Sequence, residues 1–303
     1  MSAAAANPDF ASLLRSHAAA VEARMAALLD GELASTPAKR LAEAMRYGLL
    51  GPGKRLRPFL VIESAALFGV PREAALDTAA ALECIHAYSL IHDDLPAMDN
   101  DDLRRGRPTV HRAYDEATAI LAGDGLLTFA FEVLARPVSH PDPAVRAELV
   151  LELARASGAT GMAGGQMLDL EAERLPLEPE AIAVMQDMKT GALIRFACVA
   201  GAILGRALAG ERAALEAYGG ALGEAYQIAD DLLDATGDSA VMGKAAAKDA
   251  GAGKATLVSR LGVSGARAVL ENKVNQAVAA LTPFGARAAT LADAARYMTS
   301  RTS

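Results

Sequence analysis

REAALDTAAALECIHAYSLIHDDLPAMD, residues 72–99, reads as one long helix running into a cluster of aspartates. Apolar residues recur at helical spacing as far as His92, and no period-two alternation marks a strand. Working outward, the same pattern predicts helices over residues 9–30, 37–50, 57–68, 72–92, 109–135 and 142–157. It predicts others over 177–209, 211–235, 257–281 and 285–299. Breakers punctuate them at Gly51-Pro52-Gly53, at Gly69-Val70-Pro71 and around Pro137–Pro143 and Pro176–Pro179. Composition agrees. The chain is 52% hydrophobic but only 4% aromatic with no Trp, so the core must be built from Ala, Leu, Ile, Val and Met. With no repeat, linker or charge block, residues 1–303 are expected to form a single all-α bundle of ten or more helices.

Several functions are disfavoured at once. A net charge of −7 leaves no basic excess to neutralise a nucleic-acid backbone. Cys84 and Cys198 sit in apolar helical runs and suit a reducing compartment rather than a disulfide scaffold. The N-terminus lacks the pattern of a signal peptide, and the longest apolar run, residues 196–205, is too short to span a bilayer. The expectation is a soluble, cytoplasmic chain with no membrane partner.

Two segments without helical pattern, 95–108 and 236–256, each follow an aspartate cluster. The first cluster is Asp93, Asp94 and Asp99; the second is Asp230, Asp231 and Asp234. Asp230 and Asp234 share a helix face one turn apart, near a helix C-terminus where the macrodipole already disfavours anions. Either these are solvated acidic helix ends or a divalent cation corrects the repulsion; two clusters of this kind favour the cation. All-oxygen donors suit Mg²⁺, which recruits substrate phosphates as further ligands. Asp93 and Asp99 lie about 120° apart on a regular helix, and Pro96 discourages continuing it. Asp99 is therefore expected on an irregular turn folding back toward Asp93.

Cations gather at the same places: Lys54 with Arg55 and Arg57, then Arg104, Arg105 and Arg107, then Lys189, Lys244 and Lys254. Beside Mg²⁺-type carboxylates they fit a diphosphate. P-loop, EF-hand, dinucleotide-binding and zinc patterns all fail. Ser89 lies about 40° and His86 about 20° from Asp93 around the helix, and Gln227 about 60° and Gly223 about 20° from Asp230. Acid, polar and small residues thus line two stripes over apolar helix. That suits a ligand with a diphosphate head and a hydrocarbon tail.

These stretches resemble the trans-isoprenyl diphosphate synthases. CIHAYSLIHDDLPAMDNDDLRRGRPTVH (84–111) looks like the family's first aspartate-rich motif with its two-residue insertion. GPGKRLRP, GGQMLDL, KTGALI, YQIADDLLD and GKATL stand in the family order. The resemblance runs from about Ala38 to the C-terminus and is weakest over 1–37. It implies an isoprenoid-synthase bundle around a central cavity, a homodimer and three Mg²⁺. Asp93 and Asp99 would bind two of them with Asp94 in support; Asp230 would bind the third with Asp234 in its outer shell. Lys54, Arg57, His86 and Arg105 would hold isopentenyl diphosphate, with a satisfied core histidine the lesser reading of His86. Arg104, Lys189, Lys244 and Lys254 would hold the allylic diphosphate, with Thr190 and Gln227 facing its carbons. Tyr88 and Ser89 would floor the tube and set chain length, Tyr88 implying a fifteen-carbon product and smaller residues twenty. Residues 236–256 would form a lid. Pro52, where the family commonly has Gly, would stiffen the turn before Lys54. A class I terpene cyclase and a regulatory subunit of a heteromeric synthase are the rival readings.

Overall fold

The computed structural model describes residues 8–172, 178–236 and 257–300. Helices α1 (Pro8–Leu33), α2 (Lys39–Leu49), α3 (Leu56–Ala66) and α4 (Arg72–Asp93) lead to a hairpin of β1 (Leu103–Arg104) and β2 (Arg107–Pro108). Then come α5 (Val110–Ala113), α6 (Glu116–Ala135), α7 (Pro143–Ser157), α8 (Met162–Ala172) and α9 (Pro179–Gln186). A π-helical turn, Asp187–Gly191, joins α9 to α10 (Ala192–Leu204). The chain continues through α11 (Ala209–Thr236), α12 (Leu257–Ala280), a 3₁₀ segment (Thr282–Ala288) and α13 (Ala289–Ser300).

The all-α expectation holds, the two-residue strands of the hairpin being a local exception. Helix α4 runs through the middle, packed on α1, α2, α3 and α6, with Ala79, Ala80, Ala81 and Leu82 fully buried. Small residues here let helices approach closely. Helix α10, buried along nearly its whole length, fills the space between α3, α7 and α11.

Two expected helices are divided and one helix is unexpected. The helix expected over 109–135 breaks before Asp115, whose carboxylate caps α6 by accepting the Thr118 backbone N–H at 2.7 Å. The helix expected over 177–209 is divided by the π turn and stops at Leu204, before Arg206 in a left-handed conformation. Helix α8 was not expected, because Gly164 and Gly165 weaken its helical signal. Helix α6 also qualifies an earlier exclusion: by length and composition it is apolar enough to cross a membrane. One face of it, with Ala122, Leu126, Ala130 and Val133, is buried in the bundle.

Candidate active site

Asp93 ends α4, and the next residues fold back on it. The Asp99 N–H donates to the Asp93 carbonyl at 2.8 Å and the Asp101 N–H to that of Asp94 at 3.1 Å, with Asn100 at positive φ. The expected irregular turn is present, and it brings the Asp99 charge within reach of Asp93. Burial first, and then Asp99, raise Asp93 to about 6, partly opposed by Lys189.

Arg105 and Gly106, both at positive φ, form the two-residue loop of the hairpin. The hairpin turns Arg104 back onto buried Asp94, which accepts from its Nε at 2.8 Å and its Nη2 at 2.6 Å. This fork-like pairing uses one edge of the guanidinium and leaves the Nη1 edge for an anion. Arg105 donates to the Pro52 carbonyl.

Arg55 takes a different part from its neighbours. It is buried at positive φ, pairs with Glu83 at 2.7 Å and Glu22 at 3.1 Å, and donates to the Gly51 carbonyl at 2.5 Å. That anchoring fixes the turn and leaves Lys54 exposed on one side and Arg57 half-buried on the other. The Arg57 guanidinium lies 5.9 Å from the Tyr226 ring, and its buried Nε has no hydrogen-bond partner. His86 is held well below its ordinary pKa, first by burial and then by Arg57, Arg105, Arg104 and Arg55. It is a neutral imidazole ringed by cations.

The π turn connects the two acidic ends. Lys189 pairs with Asp169 of α8 at 2.5 Å, and its charge is felt at Asp93. The Thr190 hydroxyl donates to Gln227 at 3.3 Å, whose amide donates to Asp231 at 3.0 Å. Asp231 is buried and raised to about 6, first by burial and, further, by Asp230 and Asp234. Asp230 is half-buried and Asp234 exposed. Glycines on both sides let the backbones meet: a Cβ on Gly165 would fall 2.2 Å from the Lys189 nitrogen, and one on Gly223 3.0 Å from the Gly191 Cα.

On α4, Tyr88 stands edge-on to His92 at 5.7 Å, and Ser89 donates to the His86 carbonyl at 2.9 Å. His86, Tyr88, Ser89 and Leu90 are half-buried toward the acidic end of α4, beyond its buried middle. Two cavities lie elsewhere. One of about 200 Å³ is lined by Glu152, Arg155, Arg195 and Glu216, and one of about 480 Å³ lies on the outer face of α8 beside Met167 and Met188. Lys244, Lys254 and all but the first residue of the expected lid lie outside the described residues.

The chain matches the polyprenyl synthetase family model over residues 38–282. It belongs to the polyprenyl synthetase family. This polyprenyl synthetase is 48% identical over 243 residues to the farnesyl diphosphate synthase of Escherichia coli (strain K12), covering 78% of this chain and 80% of that one. It is 43% identical over 268 residues to geranylgeranyl pyrophosphate synthase 9, chloroplastic, of Arabidopsis thaliana, covering 86% and 74%. The crystal structure of an FPP/GFPP synthase from Zymomonas mobilis superposes with a TM-score of 0.87 at 47% identity, covering 96% of this chain and 99% of that one. Relatives and fold neighbours thus share the isoprenyl synthase architecture.

Sequence reading left four side chains of this polyprenyl synthetase without a role. Asp169 holds Lys189, Asp231 holds Gln227, and Tyr226 and Tyr297 face Arg57 and Lys54. Asp169 was the most discoverable, as the single charge in GGQMLDL.

Proposed function

We propose that this polyprenyl synthetase is a Mg²⁺-dependent head-to-tail prenyltransferase that condenses isopentenyl diphosphate with dimethylallyl and geranyl diphosphate to give farnesyl diphosphate. One observation carries the reading. Two acidic helix ends meet the Lys189–Thr190 turn, while a second cationic group, Arg57 and Arg105, bears on His86, with Lys54 exposed on the same turn as Arg57. One acid site with one cationic group would serve a cyclase; the second cationic group is what a second diphosphate requires.

The donor chemistry fits Mg²⁺. Among the described residues no three acidic, His or Cys side chains form a ready-made metal cluster, and Mg²⁺ characteristically combines one or two carboxylates with water and substrate phosphate oxygens. Asp93, Asp99 and Asp230 would hold the ions, three per site, with Asp234 in the outer shell. Asp94 would act by fixing Arg104. Bound Mg²⁺ would supply charge stabilisation for the departing diphosphate.

The chain's own groups do the remainder. Arg104, Lys189, Lys244 and Lys254 bind the allylic diphosphate, and the allylic C–O bond breaks with its electron pair leaving on that group. Thr190 and Gln227 present oxygen dipoles to the developing cation, and the apolar helix faces exclude water. Lys54, Arg57, His86 and Arg105 orient isopentenyl diphosphate so that its double bond forms the new C–C bond. The proton then lost passes to the departed diphosphate. Cytoplasmic residence accords with Cys84 and Cys198, both buried free thiols.

Purified protein supplied with isopentenyl and dimethylallyl diphosphates and Mg²⁺ should release farnesyl diphosphate, and a chelator should abolish it. Hydrocarbon formed without isopentenyl diphosphate would favour a cyclase, and turnover only with a partner chain a regulatory subunit. Relatives named farnesyl diphosphate synthase support fifteen carbons; the Arabidopsis relative keeps a geranylgeranyl product as the second reading.

Chain length supplies a sharper prediction. Tyr88 is half-buried near the acidic end of α4, where burial and then Asp93 raise its phenol. Tyr88→Ala is expected to move the main product from fifteen to twenty carbons by chromatography. A variant still making only farnesyl diphosphate would remove Tyr88 from the floor of the tube.

We also propose a homodimer through α6. Ile120 and Leu121 on its outer face are 45% and 55% exposed, while the opposite face is packed on α4. In a two-fold interface one lost leucine counts twice, about 3 kcal/mol in all. Leu121→Glu should therefore weaken the dimer about a hundred-fold, so that light scattering shows dissociation at a correspondingly higher protein concentration than for wild type. An unchanged dissociation concentration for this variant would place the contact elsewhere.

A further inference from the structure

Tyr297 and Phe10 lie outside the region matched by the family model, yet Tyr297 reaches the cationic turn at Lys54 and Phe10 packs against Tyr297. The Lys54 ammonium stands 5.9 Å from the centre of the Tyr297 ring. Phe10 of α1 packs against that ring at 5.3 Å and is itself edge-on to Phe59 of α3 at 5.3 Å. Phe10 is 3% exposed and Met298, beside Tyr297, is fully buried. The ring is therefore held from both helices. On the same turn, Arg55 is tied to Glu22 of α1.

The chemistry of this contact differs from that at Lys189. Lys189 is held by the Asp169 carboxylate, which neutralises part of its charge. An aromatic face attracts an ammonium through its quadrupole without neutralising it. Lysine is otherwise a strongly hydrated point charge on a flexible stem. A ring that limits the stem while leaving the charge whole suits a residue waiting for an anion.

We infer that Tyr297 is a positioning residue that orients the Lys54 ammonium toward the diphosphate of isopentenyl diphosphate. The inference rests on the two-diphosphate reading of the site, so its test carries one kinetic and one chemical readout. Tyr297→Leu removes the ring and should raise the KM for isopentenyl diphosphate about two- to five-fold, as expected for a partly exposed cation–π contact. The KM for the allylic substrate and kcat should hold. Tyr297→Phe keeps the ring and should restore the wild-type KM. Independently of turnover, acetylation of Lys54 by acetic anhydride, followed by peptide mass spectrometry, should be slower in wild type than in Tyr297→Leu.

If thermal melting shows that leucine unsettles α13, Tyr297→Met fills the space flexibly without a ring and should reproduce both effects. Equal Lys54 labelling in wild type and both ring-less variants would overturn the inference. So would a KM change shared equally by the two substrates, or a phenylalanine variant as impaired as the leucine one. Wild-type protein that does not consume isopentenyl diphosphate would overturn the functional reading instead, while the labelling would still report the contact.

Discussion

Asp93→Asn is expected to lower kcat about a thousand-fold while making the metal-free protein more stable than wild type. The two effects share one cause. Asp93 is held mostly out of water at the end of α4, near Asp99, and its pKa is raised to about 6. A raised carboxylate pKa means that the folded state binds a proton that the unfolded state has released. The stabilisation is fully present below the unfolded value near 4 and is lost as pH rises through about 6. At neutral pH the ionised carboxylate is thus a liability of at most roughly 2–3 kcal/mol. An isosteric amide removes it. Thermal melting in chelator at pH 7 should show the variant a few degrees above wild type, and the difference should shrink as pH falls through about 6 and close near pH 4. Asp231, also raised to about 6, adds a second contribution of the same sign.

With substrates and Mg²⁺ the sign reverses, because the charge that costs stability is the one that holds a cation. Removing one group that stabilises developing charge characteristically costs a factor of a hundred to a thousand, and Asp93 is proposed to serve two ions. A variant retaining a tenth of wild-type kcat, or melting lower than wild type in chelator, would show that Asp93 is an ordinary structural acid.

Much of this was legible in the sequence because it concerned one helix at a time. Apolar spacing placed the helices, and the angle between Asp93 and Asp99 together with Pro96 called for a turn that folds back. The hydrogen bond from the Asp99 N–H to the Asp93 carbonyl is that turn. The unread features depend on two segments meeting. Lys54, Arg55 and Arg57 look alike in sequence, yet Arg55 is buried against Glu83 and Glu22 because its backbone turns left-handed between α2 and α3. Periodicity carries no record of that. The π turn is likewise invisible, since KTGALI has ordinary helical spacing and acquires its extra residue per turn only where α8 and α11 press on it.

Gly165→Ala tests that last point and should be nearly as damaging as the loss of an acid. The added Cβ would lie 2.2 Å from the Lys189 nitrogen, 2.6 Å from its Cα and 2.8 Å from the Met188 carbonyl carbon. All three are backbone atoms, so no side chain can swing aside and the π turn itself must move. Overpacking of this kind costs typically about 1–3 kcal/mol of stability. The effect on catalysis should be larger, because Lys189 would leave Asp169 and Thr190 would leave Gln227 together. Misplacing catalytic groups by about an ångström can cost about a hundred-fold, and that is the fall expected in kcat, with the KM for isopentenyl diphosphate much less affected. Gly210→Ala is the matched control, since a Cβ there meets nothing within 4 Å. If Gly165→Ala turned over within three-fold of wild type, the close approach of α8 would not be what places Lys189. The turn would then have to owe its shape to α11, where Gly223 gives the same kind of clearance against Gly191.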